Sequence, residues 1–226
     1  MAATVQPASK NGQAKVLIVD DHPVVREGIA QSIRRAGDLE VCGEADCPEK
    51  ALQAVSDLRP DIVVVDLAFS TGSGLGLIRD LKVRYPQLPL LVLSMHDELI
   101  YAERVLRAGA SGYIMKHEDT EQFVLAIRKV LQGGIYLSER MTARMLPKLT
   151  GKVPAAAASS IEGLSDRELE VFQLVAQGLS TREVAERLFL SIKTVETHLD
   201  HVKAKLGLES SRELLRYAVV WLLEGR

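Results

Sequence analysis

"KVLIVDDHPVV", Lys15 to Val25, decides how the first half of the chain is read. The run Val16-Leu17-Ile18-Val19 is apolar and rich in β-branched residues, as a buried strand is. It stops at two adjacent carboxylates, Asp20 and Asp21, with Pro23 two residues on. Neighbouring acids repel, so the pair needs a reason. Two are open. Asp21 is the N-cap of the next helix, with Pro23 just inside it, or the two carboxylates share a cation.

Outward from this stretch, strand and helix patterns alternate. Further apolar runs at 62–65 and 90–93, and shorter ones at 39–42 and 112–115, predict four more strands. Helical patterns fall between and after them at about 23–35, 48–58, 75–84, 98–108 and 120–132. In the fourth of these, Ala102, Val105 and Leu106 recur at helical spacing and Gly109 stands as a C-terminal stop. Five such units predict an α/β fold, a doubly wound five-stranded parallel sheet in the order 2-1-3-4-5. The unbroken apolar "IVVV" before Asp66 suits a strand buried on both faces.

In that order strands one and three are neighbours, so Asp20, Asp21 and Asp66 converge at the carboxyl edge, where such sheets bind ligands. Three carboxylates there require a cation or raised pKa values. Mg²⁺ suits them, because it takes oxygen ligands and keeps places for water and phosphate. Ser94 and Lys116 end the fourth and fifth strands and add a hydroxyl and an ammonium. The set is a phosphoryl acceptor, with Mg²⁺ and Lys116 neutralising charge while one carboxylate attacks.

Composition limits the rest. The chain has 226 residues, 47% hydrophobic and 26% charged, which suits one large or two ordinary globular domains. The net charge of -2 gives no global attraction to nucleic acid, so any such binding needs a local face. No apolar run approaches the ~20 residues of a membrane span. Residues 1–14 lack the apolar core of a secretory signal and read as a disordered tail. Cys42 and Cys47 match no metal spacing, and with no export signal they suggest a reducing cytoplasm. "GSGLGL", from Gly72 to Leu77, superficially resembles a dinucleotide fingerprint, but Leu77 stands where the third glycine belongs.

From 138 to 160 the periodicity stops, and "LTGKVPAAAASS" reads as a linker. From 161 to 226 the pattern is helical only. Capping boxes are expected at Ser165/Glu168, Ser180/Glu183 and Ser210/Glu213, with Ser191 as a further cap. The predicted middle helices span 181–188 and 192–206. In the second, Ile192, Val195, Leu199, Val202 and Leu206 form the buried stripe. Lys193, Thr197, Asp200, His201 and Ala204 face outward, with Glu196, Lys203, His198 and Lys205 at the flanks. A small polar face of this kind suits a helix reading a major groove. Charge argues the other way, since this part holds nine Lys/Arg against eleven Asp/Glu. The acids gather at helix starts, however, where the helix dipole favours them. His198 and His201 lack a third metal ligand. In the last helix Trp221 is equally a core residue or part of a dimer contact.

With "VDD", "VDL…GSGL", Ser94 and "GYIMK" in place, the segment from Lys15 to about Gln132 resembles the receiver domain of bacterial two-component response regulators. Residues 164–208, from "LSDRELEVFQLVAQGLSTREVAERL" to "KAKLG", resemble the LuxR-type helix-turn-helix, and the order of the two indicates the NarL/FixJ type. The resemblance implies a receiver at 15–137, a linker at 138–160 and a DNA-binding domain at 161–226. It implies Asp66 as phosphoacceptor, with Asp21, Asp66 and the Ala68 carbonyl on Mg²⁺ and Asp20 reaching it through water. Lys116 and Ser94 would hold the phosphoryl group, and Tyr113 would reorient with Ser94. Lys193, Thr194, Glu196, Thr197, His198, Asp200, His201, Lys203 and Lys205 would face double-stranded DNA. A sensor histidine kinase would be the donor, and phosphorylation would favour a homodimer. Such a protein is no metabolic enzyme, since it catalyses only its own phosphorylation and dephosphorylation. Three positions depart from the family pattern: Ser70 replaces a proline, Met95 a small residue, and His117 a proline that often follows a cis bond. The rival readings are a Mg²⁺-dependent phosphohydrolase with a protein-binding tail, and a phosphorylation-independent DNA binder with a vestigial pocket.

Overall fold

The computed structural model of the chain describes residues 12–69, 73–149 and 161–223. The chain divides into two compact units, one up to Thr142 and one from Ala143 onward.

The first unit alternates β1 (Ala14–Val19), α1 (Pro23–Ala36), β2 (Leu39–Ala45), α2 (Pro48–Leu58), β3 (Ile62–Val65), α3 (Gly74–Arg84), β4 (Leu90–Ser94), α4 (Glu98–Arg107), β5 (Gly112–Met115) and α5 (Thr120–Leu131). All five strands are parallel, in the order β2-β1-β3-β4-β5. Val16, Leu17 and Ile18 are wholly buried, as are Ile62, Val63 and Val65. Helices therefore cover both faces of the central strands, which is why these strands are apolar without alternation. On one face Ile18, Val64 and Leu91 pack with Ile29 and Ile33 of α1 and Ile127 of α5. Burying each such aliphatic side chain is worth roughly 1.5–3 kcal/mol.

The edges of the elements differ from expectation in instructive ways. Ala14, expected in the tail, opens β1, and its N–H donates to the Asp38 carbonyl at 2.9 Å. Residues 1–11 of that expected tail lie outside the described residues. β2 runs three residues past the expected 39–42, through a register shift opposite Val16 and Leu17. An edge strand with irregular pairing carries a weaker apolar signal than a central one. Asp21 is not the cap of α1. His22 holds that position without a side-chain cap bond, and Pro23 fills the first turn.

The expected linker is helical where it begins: α6 spans Glu139–Leu149. Ser138 starts it, its Oγ accepting the Met141 N–H at 3.0 Å, and Met141 is buried. Pro147 in "ERMTARMLPKL" hid this helix, because a proline reads as a breaker. So near the helix end it costs only one intrahelical hydrogen bond. The alanine run of the linker lies outside the described residues.

The second unit has a short 3₁₀ turn (Ile161–Gly163), then α7 (Asp166–Ala176), α8 (Thr181–Leu188), α9 (Ile192–Leu206) and α10 (Ser211–Leu223). Both halves of the capping box form at Ser165/Glu168 and Ser180/Glu183. The third box is altered. Ser210 Oγ accepts the Glu213 N–H, but the Glu213 carboxylate accepts the N–H of Glu209 rather than that of Ser210. Val171, Leu174, Val184, Ala185 and Val195 form the core. Trp221 is buried edge-on against Phe172, with ring centroids 5.2 Å apart, so it belongs to the core.

Candidate functional site: an acid pocket and a recognition helix

Sheet register sets the pocket. Val19 pairs with Val65, so the residues after them, Asp20 and Asp66, stand side by side, and the Asp66 N–H donates to the Val19 carbonyl. Both carboxylates are buried, with 1% and 3% of their surface exposed. Lys116 follows β5 and bridges them: Nζ lies 2.7 Å from Asp20 Oδ2 and 2.6 Å from Asp66 Oδ2. The other Asp66 oxygen accepts the Leu67 N–H at 2.7 Å, which fixes the carboxylate plane. Burial raises the Asp66 pKa against the pull of Lys116. Burial also works against the Lys116 ammonium, but its bonds to Asp20 and Asp66 outweigh that and hold its pKa above the ordinary lysine value.

Asp21 sits beside them, with Oδ1 2.7 Å from His22 Nδ1. One potential ligand atom each from Asp20, Asp21, His22 and Asp66 lies within 4.8 Å of the others. The carboxylate oxygens are hard donors of the kind Mg²⁺ prefers, and Lys116 already occupies the place of a cation between two of them. The donor set fits the ion. Gly74 opens α3 against the Asp66–Leu67 backbone, where a Cβ would overlap the Asp66 carbonyl and Leu67 Cα. Glycine is therefore required there. Ser70 lies outside the described residues, and the Lys116–His117 bond is trans.

Ser94 is fully buried at the end of β4, and its Oγ accepts the His96 N–H at 3.2 Å. Tyr113 points inward, 1% exposed, and its hydroxyl donates to the His96 carbonyl at 2.6 Å. Burial drives the Tyr113 pKa upward, so the phenol stays a donor. The His96 ring stacks on Tyr101 at 4.9 Å, and burial pushes its pKa below the ordinary histidine value. Met95 stays 68% exposed beside them. A cleft of about 560 Å³ opens next to Lys116, lined by His22, Val25, Ile29, Met95 and Phe123 among others.

Five predicted groups, Asp20, Asp21, Asp66, Ser94 and Lys116, thus meet at one sheet edge, with Tyr113 behind them. Sequence reasoning missed His22 and His96. His22 had only its place beside the two acids as a signal. His96 had none, because it serves through its main-chain N–H and carbonyl.

In the second unit Ser191 caps α9 by accepting the Thr194 N–H, and its Oγ lies 2.8 Å from Thr194 Oγ1. Val195, Val202 and Leu206 face the core and Leu199 is half-buried, but Ile192 is 48% exposed. The expected buried stripe thus starts one turn late, at Val195. Lys193, Glu196, Thr197, Asp200, His201 and Ala204 are exposed. Thr197 Oγ1 bonds back to the Lys193 carbonyl. Lys203 pairs with Asp200 at 2.9 Å. Lys205 reaches Glu168 at 2.6 Å, with His201 Nδ1 3.7 Å from the same carboxylate. Burial opposes ionisation of Glu168, but its bonds to Lys205 and Ser165 prevail and lower its pKa. His198 is half-buried, and among the described residues neither it nor His201 joins a metal-ligating cluster.

A buried acid pocket bridged by a lysine at the carboxyl edge of a 2-1-3-4-5 sheet, followed by a capped helix-turn-helix, is the architecture of a response regulator, and the chain belongs to that family. The model for the response regulator receiver domain matches residues 16–128, and that for luxR-family bacterial regulatory proteins matches residues 162–218. Among curated relatives, the oxygen regulatory protein NreC of Staphylococcus aureus is 39% identical over 210 residues, covering 91% of this chain and 96% of NreC. Among solved structures, the RcsB response regulator of Salmonella typhimurium superposes with a TM-score of 0.71 at 27% identity, covering 92% of this chain and 97% of RcsB. RcsB of Salmonella enterica serovar Typhimurium, bound to a promoter in the presence of the phosphomimetic BeF3-, gives 0.69 at 27% identity, covering 92% and 99%. The chain is a phosphorylation-regulated, DNA-binding transcription regulator, whose receiver implies a histidine kinase partner. No helix among the described residues is long and apolar enough to cross a membrane.

Proposed function

We propose that Asp66 is the phosphoacceptor of a receiver over residues 15–137 and that its phosphorylation governs a DNA-binding domain over residues 161–226. The observation that carries this reading is Lys116 Nζ held between Asp20 and Asp66, within 2.7 Å of each. A lysine so placed is ready to follow negative charge from the carboxylate to an arriving phosphoryl group.

Asp66, its plane fixed by the Leu67 N–H, attacks phosphorus. The bond from phosphorus to the donor imidazole breaks as the acyl phosphate forms. Lys116 moves to the phosphoryl oxygens, and the Ser94 hydroxyl donates to another. Asp21, Asp66 and the Ala68 carbonyl would hold Mg²⁺, with Asp20 reaching it through water. The ion would supply positive charge to the transferring phosphoryl group. The cleft beside Lys116 gives the donor its approach. In dephosphorylation the same groups serve water, which attacks phosphorus as the bond to the Asp66 oxygen breaks, releasing inorganic phosphate and restoring the carboxylate, so the chain catalyses only its own modification.

For the DNA-binding face we assign Lys193, Thr194, Glu196, Thr197, His198, Asp200, His201, Lys203 and Lys205 of α9. Lys193 serves phosphate, and Glu196 is placed to accept from a cytosine amino group. Exposed Leu215, Val219 and Leu222 form a stripe along α10 that suits a second copy of the chain. The test adds beryllofluoride and Mg²⁺ and measures solution mass, together with retention of duplexes selected from a random pool. A larger species that binds DNA more tightly is expected. Wild-type protein and an Asp66→Asn variant that bind DNA equally, with or without beryllofluoride, would establish the vestigial-pocket reading instead.

A further inference from the structure

Around β5 the chain closes a ring of hydrogen bonds that chemistry at Asp66 does not itself require. The Tyr113 hydroxyl donates to the His96 carbonyl at 2.6 Å. Two residues after His96, α4 begins at Glu98, a carboxylate only 9% exposed. Glu98 Oε1 accepts from Ser138 Oγ at 2.7 Å. Ser138 is the residue before α6: its Oγ accepts the Met141 N–H at 3.0 Å and its carbonyl accepts the Thr142 N–H at 2.9 Å. Two residues before Ser138, the Tyr136 carbonyl accepts the Tyr113 N–H at 2.9 Å, which closes the ring. The start of the helix leading out of the first unit is therefore bonded to both Tyr113 and α4.

We infer that Glu98 and Ser138 form a latch, which holds the start of α6 to the start of α4 and is opened by phosphorylation of Asp66. The inference rests on the reading of Asp66 as phosphoacceptor and of Ser94 as a ligand of the phosphoryl group. Ser94 Oγ now accepts the His96 N–H at 3.2 Å. A phosphoryl group on Asp66 draws that hydroxyl towards itself, and residues 95–97 lose an anchor. Asp97 caps α4 by accepting the Leu99 N–H, so a shift of this loop carries Glu98 with it. A buried carboxylate and a hydroxyl form a short, charge-assisted bond that does not survive much displacement. Once it parts, Glu98 turns to water and α6 is released at its first turn.

Hydrogen exchange on the full chain, with and without beryllofluoride and Mg²⁺, tests the latch. In the wild type the probe should change exchange at residues 94–97 and speed exchange in residues 139–146 by about tenfold. Ser138→Thr keeps hydroxyl and cap and should behave as wild type. Ser138→Asp keeps a good N-cap but sets a like charge against Glu98, and Glu98→Ala leaves the cap untouched. In both of these variants residues 139–146 should exchange fast from the outset and ignore the probe. A wild-type response at 94–97 without one at 139–146 would overturn the latch, as would a probe response retained by both variants. No response at either segment would instead remove the phosphoacceptor reading, and the latch with it.

Discussion

The acid pocket and the outward face of α9 are built on opposite plans. In the pocket, groups from three strand ends are buried and hold one another in fixed contact: Asp20 and Asp66 are almost unexposed, and Lys116 touches both. On α9, the outward groups stay in water and satisfy themselves locally, Lys203 on Asp200 and Thr197 on its own helix. On the proposed function, the pocket is ready before its ligand arrives, whereas the helix must give up small local contacts to take up DNA. Substitutions in the pocket should therefore act steeply, and those on the helix in shallow steps.

The steepest effect below the acceptor itself is expected for Lys116→Ala. Removing the shared ammonium should slow phosphoryl uptake by about 100-fold, measured as the rate of mass gain with acetyl phosphate. It also leaves Asp20 and Asp66 facing each other, so Mg²⁺ should raise the melting temperature of the variant more than that of the wild type. Equal Mg²⁺ responses would break the contrast between pocket and helix. Tyr113→Phe comes next. It strips the His96 carbonyl of its donor at a cost of about 1–2 kcal/mol, read by urea denaturation of the receiver, while phosphoryl uptake continues.

Glu168→Gln should cost about 1 kcal/mol in the second unit, since its partner Lys205 is partly in water. The sign follows from its lowered pKa. The wild type keeps this contribution above the unfolded carboxylate pKa and loses it as pH falls through the lower folded value. The variant should lack that acid-side decline, as melting curves recorded across the acid range would reveal. The smallest effect belongs to Lys193→Ala, a few-fold loss of DNA affinity with a salt slope shallower by about 0.9. A change of preferred sequence in that variant would mean Lys193 reads bases rather than phosphate.

The pocket was legible in the sequence because a parallel sheet turns chain order into position. Once 16–19, 62–65, 90–93 and 112–115 are read as strands, the residues after them must share an edge. The helix-turn-helix was legible through its caps, and α8 and α9 begin and end at the expected residues. What stayed hidden depends on main-chain atoms or on neighbours distant in sequence. The carbonyl of His96 could come from any residue type. Asp21 had the composition of a cap, and only the position of His22 removed it from that role. The helix at Glu139–Leu149 is masked by Pro147, and Ile192 reads as core because helical periodicity gives the face of a residue but not whether a neighbour covers that turn.

The measurement closest to the centre is the intact mass of the full chain after incubation with acetyl phosphate and Mg²⁺, beside Asp66→Asn and beside a sample with chelator. The buried, lysine-bridged pocket requires one added phosphoryl group on the wild type and none on the other two. A phosphoryl group gained by Asp66→Asn, or gained equally with the chelator present, would contradict it.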